Sequence, residues 1–498
     1  MEAIKHYNLQ NVDTDYVDTG ANRPIGSLYT LLHPTYFFWH YAFQPNFSTY
    51  FADQLRLMNR REFTSFFSVA ITGIPLLMGT SLFPDSSNPK PLFVNGARLN
   101  KILLELAKYG RNDHGGIDRV AFSEADRNAR QYVIGLMKNA GLDVIIDAAA
   151  NIIGRRKGNN ADAKPIMLGS HIDSVPSGGN YDGQVGSAAA VEVAQILHED
   201  NQITRHPLEF VIFSNEEGGK TGSRAMAGEI ETFELDIMTA SGFTIGEGLR
   251  ANSGDPDKLT KVKRLKGSIA GFLELHIEQG GILDREGLTI GVVEGIVGIK
   301  RWSVTVKGFT NHAGTTPMTE RRDSLVAAAQ FIQAVHRIAK NMPGRQVATV
   351  GKITPEPGAP NVIPGRTSLT LEIRDLDMAK IDNLFKVLVK ESKLIGEETG
   401  TQFLFDQFYL SMAALTDDLF RKVIEEETEK LGFSYTRMPS GAGHDAQSIA
   451  QLAPVGMIFI PSLGGISHSP KEKSRSKDIE AGANVLLRSL LTLDHQLS

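Results

Sequence analysis

Two short, mainly apolar runs, Pro165-Ile-Met-Leu-Gly-Ser170 and Leu208-Glu-Phe-Val-Ile-Phe-Ser214, flank a helical stretch at about Gly186 to His198. Runs of that length without polar alternation read as buried strands. Strand, helix and strand in succession build an α/β sheet. Both runs end in polar residues, and such sheets place their ligands at the carboxyl ends of the strands. Upstream, Leu99, Ile102, Leu103 and Leu106 recur at helical spacing. A second helix is predicted from Ser123 to Ala140, with Ser123 as N-cap, Asp126 in the first turn and Gly141 ending it.

The texture changes over residues 298–413. Trp302, Val304 and Val306 alternate with Ser303, Thr305 and Lys307, and Leu369, Leu371 and Ile373 alternate with Thr370, Glu372 and Arg374. Alternation of this kind marks strands with one polar face. Helices are predicted at 321–340 and 378–396. The α/β pattern resumes with a helix at 416–431 and the strand Val455 to Ile460. The expected architecture is a catalytic α/β domain with a central mixed sheet, in two parts at 91–297 and 414–498. A smaller α+β domain at 298–413, an antiparallel sheet with two helices, is inserted into it as a lid or dimerisation unit.

The first ninety residues differ from the rest. Residues 1–57 are rich in Tyr, Phe, His and Asn and show no sustained period, so they read as a mis-assigned or disordered extension, with Met58 as the real start. Arg60-Arg61 with Phe63 precedes a weakly apolar run from Phe66 to Phe83 and a polar stretch to Lys90. That order resembles a twin-arginine export signal over residues 58–90, which implies a periplasmic enzyme. Ser, Thr, Gly and Pro75 interrupt the run, making it a poor membrane span. The alternative is a chance arginine pair before a buried helix in a cytoplasmic protein; pairs also occur at Arg155-Arg156 and Arg321-Arg322.

The chemistry is narrowed by what is missing. With no cysteine among 498 residues, thiol nucleophiles, disulfides and Cys-type zinc sites are excluded. A formal net charge of −5 and no long basic tract give no nucleic-acid partner. The 13 histidines point instead to metal, because imidazole is the commonest metal ligand. Five segments gather His, Asp and Glu in loops or at strand ends: Gly169-Ser-His171-Ile-Asp173, Asn180-Tyr-Asp182-Gly183, Asn215-Glu216-Glu217-Gly218, His276-Ile-Glu-Gln279 and Ser467-His468-Ser-Pro470. His171 and Asp173, two apart on a strand, share a face, so the carboxylate can set the imidazole tautomer. In a turn, one of Glu216 and Glu217 can ligate a metal while the other serves as general base toward water. Taken singly, each motif is commonplace: an HxD, a solvated EE pair, a core histidine. Five of them ending apolar strands of one α/β domain are not.

Together the strings GSHIDSVPSGGNYDG, LELHIEQG, NHAGTTPM, GAGHDA and PSLGGISHSP resemble the M20 metallopeptidase superfamily, and in it the amidase branch of N-carbamoyl-L-amino-acid hydrolases, allantoate amidohydrolases and β-ureidopropionases. The resemblance runs from about Asn95 to the C-terminus. Peptidases of the superfamily commonly carry a carboxylate where this chain has His276, which favours amide or ureide cleavage.

The resemblance implies that His171, Asp182 and His276 bind one divalent ion and that Asp182 bridges to a second, completed by Glu217 and His468; zinc, manganese or cobalt suits such a set. It implies Glu216 as general base and Asp173 as the residue orienting His171. His312 would reach across a homodimer interface to the developing oxyanion, with Gln279, Asn361 and Arg374 contacting substrate. A guanidinium on the polar face of a strand can clamp a carboxylate through two hydrogen bonds, the alternative for Arg374 being an ion pair with Glu372 or Asp375. The expected substrate is a small ureido or carbamoyl carboxylate, foremost an N-carbamoyl-L-amino acid. Allantoate or ureidoglycolate is the alternative; a metallo-exopeptidase and a non-catalytic tethered binding protein fit less well. One departure stands out: the loop Glu217-Gly-Gly-Lys-Thr-Gly-Ser-Arg224 is shorter than is common in the family and lacks its usual Arg-Phe.

Overall fold

A computed structural model describes residues 91–497; the extension 1–57 and the signal-like segment 58–90 lie outside the described residues. The first strands are β1 (Asp143–Ile146), β2 (Ile152–Arg156), β3 (Ile166–His171), β4 (Leu208–Phe213), β5 (Gly271–Ile277) and β6 (Ile290–Ile296). Then come β7 (Gly298–Lys307), β8 (Asn311–His312), β9 (Val347–Glu356), β10 (Val362–Ile363), β11 (Arg366–Asp375) and β12 (Gln402–Ser411), and finally β13 (Ala414–Leu415), β14 (Tyr435–Ser440) and β15 (Val455–Ile460). The first and last groups form one nine-stranded sheet in the order β1-β2-β4-β3-β5-β15-β6-β13, with β14 also on β6. It is mixed: β3 pairs parallel with β4 and β5, and β15 parallel with β5 but antiparallel with β6. The middle group forms a separate antiparallel sheet, β12-β7-β11-β9, and the small ribbon β8-β10.

Burial on both faces explains why the central strands do not alternate in polarity. On β4, Leu208, Phe210 and Ile212 join one core while Val211 and Phe213 join the other. On β15, Ile458 and Ile460 face the first core, and Val455, Met457 and Phe459 the second. The first core is capped by α1 (Gly96–Leu106), α2 (Glu124–Asn139), α3 (Gln184–Glu199), α6 (Asp418–Lys430) and α7 (Ser476–Gln496). Ser123 caps α2 as expected, its hydroxyl accepting from Asp126 N at 3.1 Å.

The small sheet keeps the alternation. Trp302, Val304, Val306, Leu369, Leu371 and Ile373 are buried against α4 (Ser324–Asn341) and α5 (Met378–Thr399), where Trp302 stacks on Phe385 with ring centroids 4.1 Å apart. The parallel register decides where chemistry can gather. His171 pairs with Phe213, so the end of β3 lies beside the turn that follows β4. His276 pairs with Phe459, so β5 and β15 deliver their loops to the same edge. Among the described residues no helix is long and apolar enough to cross a membrane.

Candidate metal centre

At that edge the five expected ligands converge in two groups sharing one carboxylate. His171, Asp182 and His276 form the first and Asp182, Glu217 and His468 the second, with the donor atoms of each group within 4.8 Å of one another. The two oxygens of Asp182 face different groups. Oδ1 lies 3.2 Å from His276 Nε2 and 3.8 Å from His171 Nε2, while Oδ2 lies 3.2 Å from His468 Nε2. Glu217 Oε2 is 3.6 Å from His468 Nε2. Glu216 Oε2 is 3.7 Å from His171 Nε2, at the same opening.

Main-chain carbonyls set the imidazoles. His171 Nδ1 lies 3.1 Å from Asp173 O, and His276 Nδ1 lies 2.9 Å from Ile277 O. With Nδ1 of each ring turned to a carbonyl, Nε2 faces Asp182, where His276 Nε2 also lies 3.1 Å from Gly183 N; once deprotonated, each Nε2 can ligate. Asp173 thus orients His171 chiefly through its carbonyl, its carboxylate being at 3.5 Å. The carboxylate also accepts from Glu216 N at 3.3 Å and Glu217 N at 3.1 Å, and so fixes the turn carrying the other two acids. That turn closes with Lys220 N donating to Glu216 O at 2.8 Å.

Several groups had no role in the sequence reading. Gly183, at the start of α3, has φ +75°, and a Cβ there would sit 2.2 Å from His171 Nε2; only glycine lets Asp182 and His171 approach. Glu472 Oε1 accepts from Tyr181 N and Asp182 N at 2.9 and 3.1 Å, and its Oε2 from Ser467 Oγ and His468 N at 2.9 and 3.2 Å. One buried carboxylate therefore ties the Asp182 loop to the His468 loop. Glu274, His276 and His444 form a third His/Glu group. Both Glu274 oxygens are committed, to Ser170 Oγ at 2.7 Å and Ala446 N at 3.2 Å, and His444 packs its ring edge-on against His276 at 4.4 Å. This group supports the ligands. The only sequence signals for Glu472 and His444 were their places beside the PSLGGISHSP string and inside GAGHDA.

The substrate-contact candidates are placed differently. Gln279 is at the centre: its Nε2 donates to Asp182 Oδ2 at 2.6 Å. Arg374 Nε donates to Glu372 at 2.7 Å, the ion pair weighed above against a clamp, and its Nη1 donates to Gly441 O at 2.7 Å. Its Nη2 has no hydrogen-bond partner among the described residues. His312, on β8, and Asn361, in the turn just before β10, are exposed neighbours, Ala313 N donating to Asn361 O at 3.0 Å. His312 Nδ1 accepts from Gly314 N at 3.0 Å and Thr315 N at 3.2 Å, which leaves Nε2 carrying the proton as an outward donor. Neither residue hydrogen-bonds to the metal-centre side chains.

The donor set fits divalent ions. Three imidazole nitrogens and two carboxylates converge, and Glu217 Oε1 is buried without a hydrogen-bond partner among the described residues, a costly state for an acid unless a cation or a proton answers it. Burial works against the Asp182 carboxylate, but hydrogen bonds from His276 and His468 hold it well below the usual carboxylate range.

A sequence profile of peptidase family M20/M25/M40 matches residues 167–492. The chain is 38% identical over 405 residues to an N-carbamoyl-L-amino acid amidohydrolase of Geobacillus stearothermophilus, spanning 80% of this chain and 99% of the relative. It is 34% identical over 394 residues to an allantoate amidohydrolase of Bacillus subtilis, spanning 78% and 95%. A solved amidase of the hydantoinase/carbamoylase family from Burkholderia multivorans matches with TM-score 0.75 at 35% identity, spanning 81% and 99%.

Ion uptake at this centre must displace protons. Burial, with the charges of Glu216 and Asp182, pushes the Glu217 carboxyl up to about 8, and the hydrogen bond to Asp182 lifts His468 up to about 9. Only the deprotonated forms ligate. Apparent affinity for a divalent ion is therefore expected to rise from about pH 7 to about pH 9, with protons released on binding. Calorimetry in buffers of differing ionisation enthalpy measures this. Flat affinity without proton release would remove Glu217 and His468 from the ligand set.

Proposed function

We propose that this chain, which belongs to peptidase family M20/M25/M40 and is a hydrolase of non-peptide C–N bonds, removes the carbamoyl group of N-carbamoyl-L-amino acids. The observation that carries the reading is the Asp182 carboxylate offering one oxygen to each of two ligand groups, with Glu216 free beside them. His171, Asp182 and His276 would hold one divalent ion, and Asp182, Glu217 and His468 a second; zinc, manganese and cobalt all suit the donors. Such ions supply Lewis acidity toward the carbamoyl oxygen and make water more acidic.

The chain's own residues then move the protons. Burial, with the Asp173 and Asp182 charges, outweighs His171 and Lys220 and pushes the Glu216 carboxyl up to about 7, in the range of an effective base at neutral pH. Glu216 takes a proton from the attacking water as its oxygen adds to the carbamoyl carbon. It returns that proton to the leaving nitrogen as the C–N bond breaks. The amino acid departs, and the carbamic acid left behind falls apart to carbon dioxide and ammonia. The outward Nε2–H of His312 suits an oxyanion, and Arg374 Nη2 suits a substrate carboxylate.

The same proposal includes a homodimer through the small sheet, with His312 serving the partner's centre. Its two edge strands support this: β9 exposes Val347 and Ile353, and β12 exposes Leu404, Phe408 and Leu410. A two-fold interface would supply both sites at once. Export by a twin-arginine-type signal belongs to the proposal too, resting on residues 58–90 alone.

Three measurements test it. Glu216→Gln should keep its metal content while turnover of N-carbamoyl-L-amino acids, read as ammonia, falls roughly 10²–10⁴-fold; unchanged turnover removes Glu216 as the base. Arg374→Ala should weaken turnover of the free acid far more than that of its carboxamide, and equal losses would make Arg374 structural. Mixing Glu216→Gln with His312→Ala under subunit exchange should restore part of the activity, because a mixed dimer contains one site with both residues intact. No recovery after proven exchange excludes action across the interface. Allantoate, ureidoglycolate and dipeptides run beside the N-carbamoyl substrates show whether the machinery serves another ureido acid or a peptide.

A further inference from the structure

A cavity of about 210 Å³ opens beside the metal centre: Glu217 belongs to both, and Asp173, which sets His171, lines the cavity next to it. Away from that wall the lining turns apolar, through Val120, Val175, Pro176 and Ile245. At the mouth stand Ile237 and Met238, large apolar side chains that are 48% and 62% exposed among the described residues. The loop after Glu217 puts glycines on this side. Gly218 lines the cavity, and a Cβ on neighbouring Gly219 would meet no atom within 4 Å.

Apart from Glu217, whose Oε1 has no hydrogen-bond partner among the described residues, the polar side chains in the wall have partners. Ser174 Oγ donates to Ile117 O at 3.0 Å and accepts from Arg119 N at 3.1 Å. Thr239 Oγ1 donates to Phe243 O at 2.8 Å, and Asn215 Nδ2 donates to Thr221 Oγ1 at 2.8 Å. The Asp173 carboxylate holds two backbone N–H groups. A polar substituent entering here would leave its water shell and find few partners, which costs free energy. A carboxylate would in addition face Asp173 and Glu217. An apolar substituent loses nothing of that kind and gains burial. Size agrees, since an apolar cavity of about 150 Å³ already takes benzene.

We infer that this cavity receives the side chain of the substrate, and that the chain's preferred substrates are N-carbamoyl amino acids with large apolar or aromatic side chains. The inference rests on the reading of the chain as an N-carbamoyl-amino-acid hydrolase and narrows it. It places the ureido nitrogen and the carboxylate away from the cavity, and disfavours allantoate, whose second ureido group would occupy the apolar walls.

The test fills the cavity from its exposed rim with Ala240→Trp and, separately, Met238→Trp, and compares N-carbamoyl-L-phenylalanine with N-carbamoylglycine. The native enzyme should favour the phenylalanine derivative. In both variants the ratio of the two kcat/KM values should fall by roughly 10–200-fold, the range one pocket contact commands, while N-carbamoylglycine turnover persists and reports an intact fold and centre. Calorimetric binding of L-phenylalanine should weaken in the same variants. An unchanged ratio in the variants, or equal loss on both substrates, overturns the side-chain pocket and leaves the parent reading standing. A native enzyme that cleaves neither N-carbamoyl substrate but releases ammonia from allantoate overturns the parent reading and the pocket with it.

Discussion

One carboxylate governs the arrangement. Asp182 stands where four chain segments meet, and its two oxygens are faced by three imidazoles. A buried acid that stays charged needs cationic or hydrogen-bonding partners on every side. The surrounding structure supplies them by different means: Gly183 removes the atom that would keep His171 away, Gln279 donates to Oδ2, and Glu472 pins the flanking backbone. The parallel register of β3, β4, β5 and β15 makes this possible, because it brings four chain segments to one edge of the sheet.

The core strands and the ligands were legible in the sequence for related reasons. A strand buried on both faces leaves an unbroken apolar run, and Val455 to Ile460 was delimited to the residue. Ligands follow such runs directly, so His171, Glu217 and His276 stood out by position as well as by type. The half-buried strands of the small sheet were legible through alternation, with Trp302, Val304 and Val306 on the covered face. Both signals are local.

What escaped the reading is non-local. Glu472 acts on Asp182 across 290 positions, and nothing near it in the sequence marks it as buried or bidentate. Ser170 and Ala446 meet on Glu274, which reads as an ordinary charged residue interrupting a strand. Asp173 was legible as a partner of His171, but its carboxylate's grip on the Glu216–Glu217 turn depends on how β3 and β4 are aligned. Arg374 illustrates the same limit from the other side. Its position on a polar strand face was correct, yet the alignment of β11 with the loop at Gly441 decides that two of its donors already have partners.

The Glu472 bridge bears on how the centre comes into being. A chain leaves the ribosome from its N-terminus, and β5 is finished long before the loop that carries His468. His171, Asp182 and His276 are therefore all synthesised while the second group still lacks a member. Only when β15 slots between β5 and β6 does Glu472 reach the backbone at Tyr181 and draw the last imidazole in. Synthesis thus supplies every donor of one group before the last donor of the other, although the two look equivalent in the finished fold, and both wait on the same late segment for the contacts that fix them.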